Sequence, residues 1–524
     1  MRTSVLALFA ATALAHNPFV HRDAHAHHAH LAGRQASASA SASASASHAS
    51  ASTPASATAS ASASASASAS HAATTTAAAT PLVTLGAPQP GVTAPGAIPL
   101  AQIVPASVQS ADPSGTSALP TTTAGAKPSG MPNAPALPDI SSFDPTKYPK
   151  SDIVPPTDSD QVLKWIDQVR NSGILIPDLA PTHYSADGNN CADPLNVPRV
   201  KNDTYCWWTC GHCVRNTDIV ECAKPKVWGS SFDDGPTPDT AKLLHYLDDN
   251  KLKTTFFVVG SRVAGRPEYL QTQYLLGHQI GVHTWSHTAL TSQSSEQIIA
   301  EIGWTKKIIK DVLGVTPLYV RPPFGDIDDR VRAILHAMNM VPVMWTGTGS
   351  ETSYVSFDTF DWQVPGGGVP AADSVTQFNK LLQAADAYGK GFIVLEHDLW
   401  WQEVELAVGY FLPTALARGY TVTSINQCMN QQLQDTYLET TSTKMLPAGS
   451  NIGNAITGST TKAPANAPLG GSDGTNIDPN VRASNGTSSD DEESAASPRV
   501  VDFGTSALVG AVLLAGIMAL LPAL

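Results

Sequence analysis

Between residues 226 and 427, short apolar runs alternate with amphipathic stretches. "KVWGSSF", "KTTFFVVG", "HQIGVH", "PLYVRPP", "VPVMWT", "GFIVLEHD" and "YTVTSI" have the length and the β-branched or aromatic content of strands. "DTAKLLHYLDDN", "EYLQTQYLLG", "DDRVRAILHAMN", "DSVTQFNKLLQAADAYG" and "VELAVGYFLPTALARG" read as helices. "SSEQIIAEIGWTKKIIKDVLG" is the clearest helix, because Ser294 and Gln297 stand in capping-box spacing and Gly314 follows its last turn. Repeated strand-then-helix order predicts a parallel sheet with helices outside, an α/β domain of barrel-like length. Chemistry in such folds gathers at the C-terminal ends of the strands.

Polar residues fall at those ends. Asp233 and Asp234 end the first strand, His283 the third, Arg321 the fourth and His397 the sixth, while Asp361 and Trp362 lie in the long loop after the fifth. "HTWSH" puts His283 and His287 at i and i+4, a spacing that on a helical turn lets both rings chelate one ion. That spacing alone is weak; joined by a strand-end aspartate it becomes a two-His, one-carboxylate site with positions open to water and substrate. In "SFDDGP", one carboxylate can then bind the ion while the other acts as a general base, although the pair could equally cap the turn before Gly235-Pro236. Arg321, in "RPPFGD", is suited to hold a carboxylate, its alternative being a surface salt bridge. His397, in "LEHD", is the remaining acid candidate or a structural histidine, with Asp361 placed to tune it.

Composition divides the rest of the 524-residue chain. "MRTSVLALFAATALA" reads as a signal peptide over residues 1–15. A His-rich stretch follows, a weak metal binder or a processed segment ending near Arg34, and Ala, Ser and Pro dominate to residue 140 as an extended stalk. Residues 145–223 form a Cys-rich extension of the 224–427 domain, and 436–506 read as a Ser/Thr-rich linker. The flanks are expected to be disordered, lacking the apolar surface to offset chain entropy. The apolar tail 507–524, after a polar spacer and small residues, has the order of a GPI-attachment signal with Ser494 as attachment site and Asn485 as second candidate; a retained tail-anchor helix is the alternative. The expected location is therefore the cell surface, at the plasma membrane or in the wall.

A net charge of −13 without a basic patch argues against nucleic acid as a partner. In a secreted chain, Cys191, Cys206, Cys210, Cys213, Cys222 and Cys428 are expected in disulfides, with fifteen pairings open. A zinc knuckle at "CWWTCGHC" is the less expected use. Asn202 and Asn485 head glycosylation sequons.

Five blocks in order, "SFDDGP", "HTWSH", "RPPFGD", "DTFDW" and "LEHD", resemble the polysaccharide deacetylase family (carbohydrate esterase family 4, the NodB homology domain) over about residues 224–427. The resemblance implies a distorted (β/α) barrel and one divalent ion, zinc or cobalt. It implies Asp233 as base, Asp234, His283 and His287 as metal ligands, Arg321 orienting the base, His397 as acid and Asp361 tuning it. Trp362 and Leu395 are implied to line the acetyl pocket, and the backbone N–H at Phe324 to serve the oxyanion. Ser231 stands where Thr is frequent, and Phe324 where Tyr is frequent. The expected activity is removal of N-acetyl groups, with chitin as the substrate that the wall-anchored architecture favours, by a monomer. Acetylated xylan, peptidoglycan, or a purely structural wall mannoprotein are the rival readings. Trp400 and Trp401 are expected either to border the glycan groove or to pack beside it.

Overall fold

A computed structural model describes residues 93–105, 111–115, 117–120, 122–184, 190–350 and 352–442. The signal peptide, the His-rich stretch, the Ala/Ser repeat, Asn485, Ser494 and the apolar tail lie outside the described residues. Among the described residues, no helix is long and apolar enough to cross a membrane.

The sheet is built around β1 (Val227–Asp233). Next come β2 (Thr255–Val258), β3 (Gln279–Val282), β4 (Tyr319–Val320) and β5 (Val341–Pro342). A small antiparallel pair follows, β6 (Gly347–Thr348) with β7 (Val355–Ser356), and then β8 (Phe392–Ile393) and β9 (Thr421–Ser424). The order across the main sheet is β5-β4-β3-β2-β1-β8, with β9 also paired to β1, and every pairing in it is parallel. Residues 227–230 of β1 pair with β8 and β9, whereas residues 231–233 pair with β2. Beyond β5 the backbone pairing is confined to isolated bridges and scattered bonds, including Met344 N–H to Ile219 O (2.8 Å), Thr346 N–H to Ile393 O (3.0 Å) and Leu395 N–H to Phe357 O (2.9 Å). The result is the distorted, barrel-like α/β fold that the strand–helix alternation predicts.

Helices α1 (Asp160–Arg170), α2 (Thr240–Asp249), α3 (Pro267–Leu275), α4 (Ser295–Leu313), α5 (Asp329–Ala337) and α6 (Ala371–Tyr388) account for the longer amphipathic stretches. In α4 the capping box forms between Ser294 and Gln297, and Gly314 takes the left-handed conformation (φ 79°) at the C-terminal cap. The stretch expected as one helix near residues 404–419 instead has a π-helical turn at Ala407–Phe411 between the α-helical segments Trp401–Leu406 and Leu412–Ala417. Pro413 has no N–H to offer the Gly409 carbonyl, which accepts one from Ala94 (3.2 Å).

That bond belongs to a broader correction. Residues up to 140 were expected as stalk, yet Ile98, Ile103, Met131, Ala134 and Leu137 are buried in the core. Their backbone polar groups are met across the fold: Tyr410 donates to Ile98 O (2.7 Å), Gln402 to Val104 O and Gln271 to Pro138 O (both 2.8 Å). Each buried aliphatic side chain contributes roughly 1.5–3 kcal/mol, enough to hold an extended segment of weak local preference. Likewise Tyr437, inside the expected linker, is fully buried, and its hydroxyl accepts the Ile280 N–H (3.0 Å). Trp401 is also buried in the core, so it does not border a groove; Trp400 is half-buried. The six cysteines form three disulfides, Cys191–Cys210, Cys206–Cys213 and Cys222–Cys428, which leaves no thiolate for a zinc knuckle.

Candidate metal centre and flanking acid–base groups

The end of β1 carries Asp233 into the cleft. Asp234 then turns sharply in the left-handed region (φ 80°), where a short polar side chain is tolerated. From the end of β3 comes His283, whose N–H is bonded to Val258 O (2.9 Å). The stretch from His283 to His287 is a loop, not the helical turn expected from the i, i+4 spacing, with Thr284 (φ 65°) and His287 (φ 58°) both left-handed. The loop is shaped from below by Glu301 of α4. Its buried carboxylate accepts the Trp285 N–H (2.6 Å), the Ser286 N–H (2.9 Å) and the Ser286 hydroxyl. Sequence reasoning missed Glu301, although a lone carboxylate in the apolar face of "QIIAEIG" is a visible irregularity.

Three ligand atoms converge there. Asp234 Oδ1 lies 2.9 Å from His287 Nε2 and 3.4 Å from His283 Nε2, and all three side chains are buried. The His283 Nδ1–H donates to the Arg321 carbonyl (2.6 Å), which leaves the Nε2 lone pair facing Asp234 and His287. Burial pulls His287 down to about 4 against the opposing charge of Asp234, so its ring is neutral at pH 7, the ligating form. Burial alone would raise the Asp234 carboxyl; the Arg262 guanidinium, 3.7 Å from its Oδ1, is the permanent charge that opposes this. Two imidazole nitrogens and one carboxylate oxygen that converge in this way fit a zinc- or cobalt-type cation.

Asp233 is held separately. Arg321, wholly buried, donates from Nη1 to Asp233 Oδ1 and to Ser231 Oγ (both 2.8 Å), and its guanidinium lies 4.4 Å from the Phe257 ring centre. Thus Arg321 is no surface salt bridge, and Ser231 supplies the hydroxyl its motif position calls for. His397 lies beside Asp233 through a parallel backbone bridge. Asp361, also fully buried, grips it twice, with Oδ2 accepting the His397 N–H and Oδ1 accepting Nδ1–H (both 2.8 Å). Burial would lower His397, yet the charge and hydrogen bond of Asp361 prevail and hold it well above 6.5.

Phe324 packs its ring on His287 (centres 4.8 Å apart) and has a left-handed backbone (φ 60°). Leu395 is buried and pairs in register with Asp358. Trp362 is half-buried, its Nε1 3.5 Å from Asp358 Oδ2. Every expected site residue within the sheet's rim is therefore brought to the same end of the fold. Asn202 is exposed on the Cys-rich extension, away from these residues in sequence.

Asp398 was not foreseen. Its carboxylate accepts the Gly235 N–H (3.0 Å) and the Thr240 hydroxyl (2.6 Å), while its backbone N–H reaches Asp233 O (3.1 Å) and its carbonyl accepts from Thr237 Oγ1 (2.8 Å). It ties the loop after β1 to the loop after β8. Gly235 makes this approach feasible, because a Cβ there would fall 2.4 Å from Asp398 Oδ1. The "DDG…HD" pairing was the available signal.

Residues 221–343 match the family described as polysaccharide deacetylase. The chain is 46% identical over 354 residues to chitin deacetylase 1 of Cryptococcus neoformans var. grubii, covering 66% of this chain and 73% of that protein. It is 33% identical over 264 residues to a chitin deacetylase of Amylomyces rouxii, covering 48% and 59% respectively. Among solved structures, the chitin deacetylase from Colletotrichum lindemuthianum aligns at a TM-score of 0.38 with 24% identity, over 43% of this chain and 97% of that one.

Proposed function

The chain belongs to the polysaccharide deacetylase family, and from that premise we propose that it hydrolyses the N-acetyl groups of chitin, releasing acetate and leaving glucosamine units. The observation that carries this reading is the convergence of Asp234, His283 and His287 beside two separately held groups, Asp233 on Arg321 and His397 on Asp361. The substrate follows from the chitin deacetylases to which the chain is similar.

Asp234, His283 and His287 would hold one divalent ion, zinc or cobalt, which when bound polarises the acetyl carbonyl and lowers the pKa of water. Asp233, held by the Arg321 guanidinium, takes a proton from water as the water oxygen adds to the carbonyl carbon. His397, kept protonated by Asp361, gives its proton to the sugar nitrogen as the C–N bond breaks. Leu395 and Trp362 form the apolar wall for the acetyl methyl, and the backbone N–H at Phe324 is the donor assigned to the oxyanion. Cell-surface placement by a GPI anchor at Ser494 or Asn485, a monomeric state and glycosylation at Asn202 complete the reading, on the strength of the sequence signals.

The test is acetate release from chitin pentamer by the protein secreted from a eukaryotic host, before and after chelation. Release that stops with chelator and returns with zinc or cobalt is expected. A folded, metal-loaded sample that leaves chitin pentamer intact and deacetylates xylan or peptidoglycan instead would overturn the substrate assignment.

A further inference from the structure

The segment that carries Phe324 closes a short turn of its own, with Gly325 N–H to Pro322 O (3.1 Å) and Asp326 N–H to Pro323 O (2.9 Å), and is also held from outside it. Phe324 (φ 60°) and Gly325 (φ 64°) are consecutive left-handed residues. A non-glycine residue in that region persists only where its surroundings over-determine it. Part of those surroundings comes from outside the 221–343 segment that matches the family, from the loop "CWWTCGHC" closed by the Cys206–Cys213 disulfide.

Five contacts make the connection. Trp207 Nε1–H donates to Asp326 Oδ1 (2.8 Å), and Thr209 Oγ1 donates to the same oxygen (2.9 Å) and lies 3.3 Å from Gly325 O. The Trp208 N–H reaches Ile327 O (3.0 Å). The Trp208 ring lies flush against Gly325, where a Cβ would fall 2.2 Å from Cζ3. The second oxygen of Asp326 accepts the Thr291 N–H (2.8 Å) and hydroxyl (2.7 Å), just beyond the loop that presents His287. Asp326 is buried with four donors on one carboxylate, three of them side-chain groups.

We infer that Trp207 and Thr209 are positioning residues for the deacetylation, acting through Asp326 to fix the Pro322–Asp326 turn and so the place of the Phe324 backbone beside the metal ligands. The Cys-rich extension is then a working part of the active site. This inference rests on the function proposed above, since it assigns the turn a role in that reaction.

The test uses the full-length protein with Trp207→Phe and Thr209→Val combined, which removes both donors to Asp326 while keeping the shape of Thr209 and a smaller aromatic ring at 207. Tyr148→Phe, which removes a hydroxyl bonded to Asp311 (2.6 Å), is the matched control. In the double variant, the peptide spanning residues 320–328 is expected to exchange its amide hydrogens at least tenfold faster. For chitin pentamer, kcat should fall tenfold or more while KM stays within twofold, and zinc affinity by calorimetry should be unchanged. The control should match the parent in all four measurements. Unaltered exchange, or faster exchange with kcat within twofold of the parent, overturns the positioning role. A loss of kcat that tracks a loss of zinc binding also overturns it, because the damage would then lie in the ligands. A parent that is inactive when metal-loaded refutes the proposed function, and this inference with it.

Discussion

Asp233 and His283 stand at the ends of β1 and β3, which β2 joins through ladders of three and four paired residues. His397 follows β8, a strand of two residues, and Asp361 stands in the loop that precedes it, among isolated bridges. On the first side, repeated backbone bonds set the register, and side chains are free to specialise. On the second, side chains do much of the holding: Asp361 grips the backbone N–H and the ring Nδ1–H of His397, Thr346 Oγ1 accepts the Ile393 N–H (2.9 Å), and Thr359 Oγ1 reaches Leu395 O (3.0 Å). Ladder geometry survives most substitutions of the side chains it carries, whereas geometry held by side chains fails when one of them goes.

The severest challenge to this contrast is Asp233→Asn. It removes the base, and kcat should fall by about 10²–10⁴-fold. It also leaves the buried Arg321 guanidinium without its charge partner, so unfolding free energy should drop by about 3–5 kcal/mol. The ladder should nevertheless keep the main chain in place, and zinc binding measured by calorimetry should persist. Loss of zinc binding in a folded variant would show that the ladder does not protect its own side.

Asp361→Asn tests the other side with a smaller effect. Roughly 10²-fold lower kcat is expected, together with a changed pH profile. With Asp361 present, His397 binds its proton more tightly in the folded than in the unfolded chain. The pair's stabilisation is therefore complete below about 6.5 and fades as pH rises through the raised folded value. Without that charge, burial is opposed only by the more distant carboxylates of Asp234 and Glu403, and the alkaline limb of kcat against pH should move downward. A limb that stays put would remove His397 from the role of acid.

The mildest probe is Thr346→Val. It unbinds the Ile393 N–H and the Val220 carbonyl (2.6 Å) on the irregular side, at an expected cost of about 1–3 kcal/mol in urea unfolding. A cost near zero would mean that the irregular side is held by packing instead.

The same contrast explains what was legible in the chain. The caps of α4 were readable because Ser294, Gln297 and Gly314 act within a turn of their own backbone. The strand-end groups were readable because residue type and place in the β–α alternation coincide. The left-handed path through Thr284 and His287 was not, since it depends on Glu301 reaching up from a helix that follows the loop. Nor was the packing of Ile98, whose backbone groups meet Glu405 and Tyr410 some 300 residues away in sequence. Low local complexity told truly of weak intrinsic preference and nothing of a distant acceptor.

The Cys222–Cys428 disulfide links residues just before β1 and just after β9, 206 positions apart, and both sulfurs would lie 2.8 Å from a Cβ at Gly229. Its two ends therefore frame nearly the whole sheet and every group of the metal centre. The enclosed chain is a covalent ring. A single protease cut on any loop between residues 222 and 428 opens that ring without releasing a fragment, and both halves stay joined through sulfur. For a protein expected to work outside the cell, a nick of that kind becomes a scar and not a severance.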